Sequence, residues 1–260
     1  GEGRVFVPTR TQGNRQFSVA TPLGEDVLLF KQMDYAEELG RPFTMDLELL
    51  SEKADVKAED LLGQNVTVRV ELPNHEGKTR YFNGLVAEFS QRATEEGLAA
   101  YSLRVVPWLW FLTRTSDCRI FQEMSAPDII KQVFRDIGFT DFEESLSGEY
   151  RTWEYCVQYR ETAFAFVSRL MEQEGIYFYF KHDNGSHTMV LIDDAASHEP
   201  FPDYEEIAFR PYDRVLADSE LIHGFGVSKS VQPGVYAQTD FDFKAPTKEL
   251  QAKSAAAREH

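Results

Sequence analysis

His182 and His187 stand on either side of Asp183-Asn184-Gly185-Ser186, a turn-forming run that predicts a tight hairpin. Two imidazoles facing each other across a hairpin, with Asp193 or Asp194 nearby, could hold a metal ion. No further ligand sits at a recognisable metal spacing, so the pair is read as solvated side chains at an exposed hairpin end. Cys156 with His182, His187 or His198 would make a thiol–imidazole nucleophile. Cys156 instead alternates with aromatic residues in a strand pattern, without the elbow or helix N-terminus that lowers a thiol pKa. Gly77-Lys78-Thr79 has the ending of a phosphate-binding loop, but Leu72 stands where that loop needs glycine and a strand pattern follows where it needs a helix. Gly224-Phe225-Gly226 also lies in a strand pattern with no helix after it, which marks a bend rather than a dinucleotide site. Glu143/Glu144 and Glu172/Glu174 are carboxylate pairs of the kind that arise by chance in a chain with 43 acidic residues, and are read as solvated surface. The run Ile176-Tyr177-Phe178-Tyr179-Phe180 could form a carbohydrate platform, but a continuous apolar run reads better as a strand buried on both faces. No catalytic, cofactor or metal residue is assigned, and partner-binding residues are not identified. A chain this long without a catalytic constellation points to a structural or binding role.

Bulk properties narrow the classes further. The 260 residues suffice for one large domain or two to three small ones, and 42% hydrophobic residues indicate a globular chain. The formal charge of −16 argues against a nucleic-acid partner, since phosphates need a positive face. The longest apolar runs are too short to span a bilayer, so no membrane insertion is expected. Residues 1–8 lack the long apolar run of a signal peptide, which leads us to expect synthesis and folding in the cytoplasm. Cys118 and Cys156, the two cysteines, are expected to be reduced and mostly buried.

The elements that position these residues change character along the chain. Before residue 107 the pattern is strand. Phe43, Met45, Leu47 and Leu49 alternate, as do Val66, Val68, Val70 and Leu72, and Tyr101, Leu103 and Val105. Asn83-Gly84 inside the long strand from Thr79 predicts a bulge or sharp bend, and the series predicts a small barrel or sandwich. The densely apolar Pro107-Trp108-Leu109-Trp110-Phe111-Leu112 is read as the buried seam to an α/β block. There, Ser125-Ala126-Pro127-Asp128 caps a helix with Ile129, Ile130, Val133, Phe134 and Ile137 on one face, ended by Gly138. A strand follows with Trp153, Tyr155, Val157 and Tyr159 on one expected face. A second helix, Thr162 to Glu174, carries Phe164, Val167, Leu170 and Met171 and stops at Gly175. Further strands are expected at Ile207–Phe209, Glu220–Val231 and Val235–Phe243, with a frayed helix over Lys248–His260. The fold class is therefore α+β, mainly β: two small antiparallel β-barrels flanking an α/β insert. The expected domains are residues 1–112 (first barrel), 113–195 (α/β) and 196–260 (strands of a second barrel).

Several stretches resemble the VgrG family, the spike proteins of the bacterial type VI secretion system. They are Trp108-Leu109-Trp110-Phe111-Leu112-Thr113-Arg114, Asp117-Cys118-Arg119-Ile120-Phe121-Gln122, Pro127-Asp128-Ile129-Ile130 and Tyr155-Cys156-Val157-Gln158-Tyr159-Arg160-Glu161. Phe166-Val167-Ser168-Arg169-Leu170-Met171-Glu172, Glu174-Gly175-Ile176-Tyr177 and Asp240-Phe241-Asp242-Phe243-Lys244-Ala245-Pro246 continue the likeness, which runs from about Phe17 to about Pro246. The resemblance implies the family's N-terminal module, a phage tail hub-like fold in which three chains supply six similar barrels to match a hexameric tube of the Hcp kind. It implies a non-enzymatic structural role, a homotrimer, effector or adaptor partners, and no cofactor. It also implies assembly in the cytoplasm followed by export through the apparatus. The alternatives are a baseplate hub of a contractile phage or tailocin and, from another class, a hydrolase or carbohydrate-binding domain.

Overall fold

The computed structural model describes residues 10–72, 78–198, 206–210, 221–222, 224–231 and 233–255. Pro73–Gly77, and with it the glycine of the Gly-Lys-Thr run, lies outside them. The chain divides into two compact units, Gly1–Glu205 and Glu206–His260.

The first unit begins with β1 (Phe17–Ala20), β2 (Leu29–Ala36), β3 (Thr44–Ser51), β4 (Asn65–Glu71), β5 (Thr79–Glu95) and β6 (Leu98–Val106). They form one antiparallel sheet in the order β1-β4-β5-β6-β3-β2. The sheet curls into a half-barrel because one face of each strand is apolar. Met45, Leu47, Leu49, Val66, Val68, Tyr101, Leu103 and Val105 fill its concave core, as the alternation predicts. The edges β1 and β2 are joined by a side chain rather than by a ladder. The buried Gln12 amide accepts from the Val19 and Phe30 N–H groups (3.1 and 3.2 Å) and donates to the Val19 and Leu28 carbonyls (2.8 and 3.1 Å). One carboxamide thus stands in for a peptide unit between the two edges, and Phe17 stacks on Phe30 beside it at 5.3 Å. The expected bulge at Asn83-Gly84 is displaced: the register slips between Val86 and Glu88. Gly84 serves close approach instead, because a Cβ there would lie 2.7 Å from Val105 Cγ1 and 2.8 Å from the Val106 carbonyl.

After β6 the backbone tightens into a 3-10 turn, Trp108–Arg114. There follow β7 (Ser116–Phe121), β8 (Met124–Ser125), α1 (Ala126–Asp136), β9 (Phe142–Ser145), β10 (Thr152–Trp153), β11 (Cys156–Thr162), α2 (Ala163–Glu174), β12 (Tyr177–Asp183) and β13 (Ser186–Ile192). Both helices start and stop on the residues expected. Ser125 Oγ accepts from the Asp128 N–H and Thr162 Oγ1 from the Ala165 N–H. Gly138 (φ 96°) and Gly175 (φ 73°) take the left-handed conformation that ends each helix. Ile129, Ile130, Val133, Phe134, Phe166, Val167, Leu170 and Met171 close a second core with Trp108, Leu109 and Leu112. Phe43, at the end of the first sheet, packs in this second core, and Tyr35 touches both. The tryptophan-rich turn is a seam as expected, although Trp110 and Phe111 are only half-buried.

Two strand faces differ from expectation. In the ribbon β7–β11, Cys156 and Gln158 are buried while Tyr155, Val157 and Tyr159 are exposed, so the face is inverted. The small inward side chains lie where α2 and the 3-10 turn crowd the ribbon, and the bulky aromatics are left outside. In β12, Phe178 and Phe180 are buried and Tyr177 and Tyr179 half-exposed, so the run is buried on one face rather than both. His198 lies against those two tyrosines, 2.9 Å from Tyr177 Oη.

In the second unit, β14 (Val235–Gln238) pairs antiparallel with β15 (Ala252–Ala255). Part of the expected terminal helix is therefore a strand, and residues 256–260 lie outside the described residues. Of the strand expected over 220–231, residues 220 and 223 are outside them. The rest carries one parallel bridge, Phe209 to Ile222. Residues 239–243, expected to continue β14, are not strand.

Candidate functional site

Two of the residues singled out for chemistry, His182 and His187, meet in one buried polar joint in the first unit. The hairpin β12–β13 turns through Gly185 (φ 88°), which places His182 directly opposite His187. The rings are not solvated as expected: His187 is 5% exposed, and its ring centroid lies 6.3 Å from that of His182. They face β5, where Asn83 is fully buried. The Asn83 N–H donates to His182 Nδ1 (3.0 Å), and Asn83 Oδ1 lies 2.8 Å from His187 Nδ1. His187 Nε2 accepts from the Trp108 N–H at 2.9 Å, and His182 Nε2 lies 3.1 Å from Tyr35 Oη.

These partners assign the tautomers. An N–H donor faces Nε2 of His187, so its proton sits on Nδ1 and is donated to Asn83 Oδ1. Nδ1 of His182 lies near both the Asn83 N–H (3.0 Å) and the Asn83 carbonyl (3.1 Å), so Tyr35 decides: its hydroxyl hydrogen goes to Glu37 Oε2 at 2.8 Å, and its oxygen accepts the proton on His182 Nε2. Asn83 Nδ2 completes the joint by donating to Asn65 Oδ1 and Thr67 Oγ1, both at 2.7 Å. Burial pushes the His182 pKa down to about 4 and that of His187 down to about 3, the latter aided by His182. Burial also raises the Tyr35 hydroxyl above its ordinary range. Both imidazoles are therefore neutral at physiological pH, and each ring nitrogen has a hydrogen-bond partner. No lone pair is free for a metal ion, and no group of three or more metal-ligating side chains occurs among the described residues.

The other candidates do not join this site. Asp193 holds a turn: its carboxylate accepts from the Ser147 and Gly148 N–H groups and from Tyr150 Oη (2.8 Å). Burial pushes that carboxyl up, but these hydrogen bonds outweigh it and hold the pKa at about 2. Burial raises the Cys156 pKa, so it stays a protonated thiol rather than a nucleophile. Cys118 is exposed, contrary to the expectation of burial, and both cysteines are free. Glu143 pairs with Lys181 and Glu144 with Lys131, at 2.9 and 2.8 Å. Thr79 opens β5, so a strand follows the Gly-Lys-Thr run. No side chain approaches a Cβ built on Gly224 or Gly226 within 4 Å. Asn83 was visible in the sequence only as a turn-former, because its partners lie 99 and 104 residues away. The arrangement orients and fastens; it offers no activated nucleophile.

Comparison with known proteins places this geometry. Residues 36–260 match the family described as phage tail baseplate hub (GPD). The chain is 47% identical over 249 residues to the type VI secretion system spike protein VgrG1b of Pseudomonas aeruginosa, covering 96% of this chain and 33% of that protein. It is 47% identical over 251 residues to VgrG1a of the same organism, covering 96% of this chain and 38% of that protein. The chain thus spans little more than a third of these relatives. Among solved structures, it is similar to the E. coli c3393 protein, described as a component of the type VI secretion system with structural similarity to T4 bacteriophage tail proteins gp27 and gp5. The TM-score there is 0.57 at 22% identity, covering 82% of this chain and 56% of that one. A tail protein from Neisseria meningitidis MC58 gives a TM-score of 0.55 at 12% identity, covering 93% and 66%.

Proposed function

This chain belongs to the phage tail baseplate hub family, and we propose that it serves as the hub module of a type VI secretion spike of the VgrG kind. The observation that carries this reading is its 47% identity to named spike proteins over 96% of its length, on a fold like that of phage tail proteins. In this role the chain is a non-enzymatic part. Three copies form a ring that caps a hexameric Hcp-like tube and helps deliver effector or adaptor proteins into target cells. Residues 1–112 supply a first barrel, 113–195 the α/β block and 196–260 strands of a second barrel, so that three chains present six similar modules to the tube. The protein assembles in the cytoplasm and leaves through the apparatus. No helix among the described residues is long and apolar enough to cross a membrane.

The surface supports an assembly role. Ile120, Tyr155, Val157 and Tyr159 are exposed on the ribbon, and Phe225, Val231, Phe241 and Phe243 in the second unit. Of these, the ribbon residues are neighbours, since Val157 pairs with Ile120 and alternates with Tyr155 and Tyr159, and an apolar group of this kind marks a surface that packs against protein. Light scattering tests the reading. We expect a solution mass three times the chain's 29.8 kDa, and co-sedimentation with hexameric tube rings. A closed twofold dimer with no affinity for tube rings would sink it. A hub of a contractile phage or tailocin is the second reading, favoured by the family's description and the Neisseria tail protein. Genes for tube and sheath proteins beside its own, of secretion or of phage type, separate the two.

A further inference from the structure

The joint at Asn83 fastens two parts of the first unit. On one side are β5 of the half-barrel and Tyr35 of β2; on the other are the hairpin β12–β13 and the tryptophan turn. Both ring nitrogens of His187 are matched to partners that tolerate one protonation state only. A proton on His187 Nε2 would set two N–H donors against each other across 2.9 Å, and the ring's other nitrogen is already a donor to Asn83 Oδ1. His182 is less exacting, because the Asn83 carbonyl lies 3.1 Å from its Nδ1 and could accept a second proton. Aromatic rings surround the pair: Phe43 and Phe180 lie at 5.8 and 5.9 Å from His187, which is buried, and Phe43 at 4.9 Å from His182, which is half-buried.

We propose that His187, with His182 beside it, makes this joint a proton-operated latch: acid converts the Trp108 contact from attraction to repulsion and releases the hairpin β12–β13 from the half-barrel. The groups facing the pair set its bias. Arg80 of β5 opposes a proton on His182, Asp183 of β12 favours one, and Glu37 lies two hydrogen bonds away through Tyr35 of β2. His187 faces no carboxylate; the titratable neighbour opposing its protonation is His182 itself. The sign follows from burial. Both folded pKa values lie below the ordinary 6.5, so the latch is fully closed above pH 6.5 and loosens as the pH falls from there towards about 3, the value for His187. This device is independent of the secretion reading.

The test is amide exchange and imidazole nitrogen NMR on the whole 260-residue chain from pH 7 to 4. We expect His187 to show a protonated Nδ1 and His182 a protonated Nε2 at pH 7. Protection of the Asn83 and Trp108 amides should fall at least tenfold between pH 6.5 and 4.5, while amides of β3 and β6 keep theirs. His187→Gln, whose carboxamide can accept from Trp108 and donate to Asn83 without titrating, should abolish most of that fall. Either ring titrating near pH 6.5 with protection unchanged would overturn the latch. So would a loss of protection spread evenly over β3, β6 and the joint, which needs no variant to detect. An unchanged pH response in His187→Gln would overturn it as well.

Discussion

Asn83 uses its main-chain N–H and both side-chain polar atoms to hold four side chains: His182, His187, Asn65 and Thr67. Removing the carboxamide leaves the His187 Nδ1–H and the Thr67 hydroxyl buried without their partners, and unsatisfied buried groups cost about 1–3 kcal/mol each. Asn83→Ala should therefore lower the unfolding free energy by about 3 kcal/mol, read from urea midpoints at pH 7. A loss below about 1 kcal/mol would mean that water replaces the amide. This residue also marks where sequence reading stops. The facing of His182 and His187 was legible, because a hairpin with Asn184-Gly185 at its tip fixes which residues oppose. Their burial was not, because it depends on Phe43, Asn83 and Trp108, none of which is near them in sequence. Gly84 was legible as special and misread as a bulge, since a sequence does not distinguish a glycine needed for bending from one needed for closeness.

At the scale of elements, period and capping were legible almost throughout. The strands β3, β4 and β6 follow their expected alternation, and both helices begin at Ser125 and Thr162 and end at their glycines. The ribbon β7–β11 is the exception. An alternation of Trp153, Tyr155, Val157 and Tyr159 with Glu154, Cys156 and Gln158 predicts the aromatics inside. The structure buries Cys156 and Gln158 instead, and Tyr159 is 64% exposed. This inversion has a direct check. Tyr159→Ser should change stability by less than about 0.5 kcal/mol, as surface substitutions do. Phe166→Ala, one turn into α2 and stacked on Phe121 at 5.5 Å, should cost about 3–5 kcal/mol. Thermal denaturation of the two variants side by side decides it. Comparable losses would mean that the aromatic face is the buried one. Gln12 shows a different limit: a lone glutamine outside every strand pattern joins two strand edges, and no periodicity reports such a role.

At the scale of the molecule, the two cores of the first unit meet at Phe43 and Tyr35, and each is built from that unit's own residues. Ending the chain at residue 205 should therefore leave the first unit folded. The Tm should shift by less than about 4 °C, roughly the change that 1 kcal/mol produces in a domain of this size. Calorimetry of the shortened and full chains measures it. A larger drop would mean that residues 206–260 stabilise the half-barrel or the α/β block. The mainly β character and the α/β insert were legible because helix and strand periods differ. For the barrel expected over residues 196–260 the sequence offers strand composition alone, because alternation in one segment does not name a strand's partners, and the described residues there form one antiparallel pair, β14–β15.

The distance along the chain between Asn83 and the histidine that accepts its N–H also sets a clock. Ribosomes add on the order of 5–20 residues per second. His182 is made 99 residues after Asn83, hence roughly 5–20 seconds later at those rates. Once Val106 is made, 76 residues before His182, β1 to β6 are complete while the Phe43 end of the sheet and the amide of Asn83 have nothing to close on. The newborn protein passes through a stage with a finished half-barrel and one raw, sticky end, and that stage is where a chaperone's grip would matter.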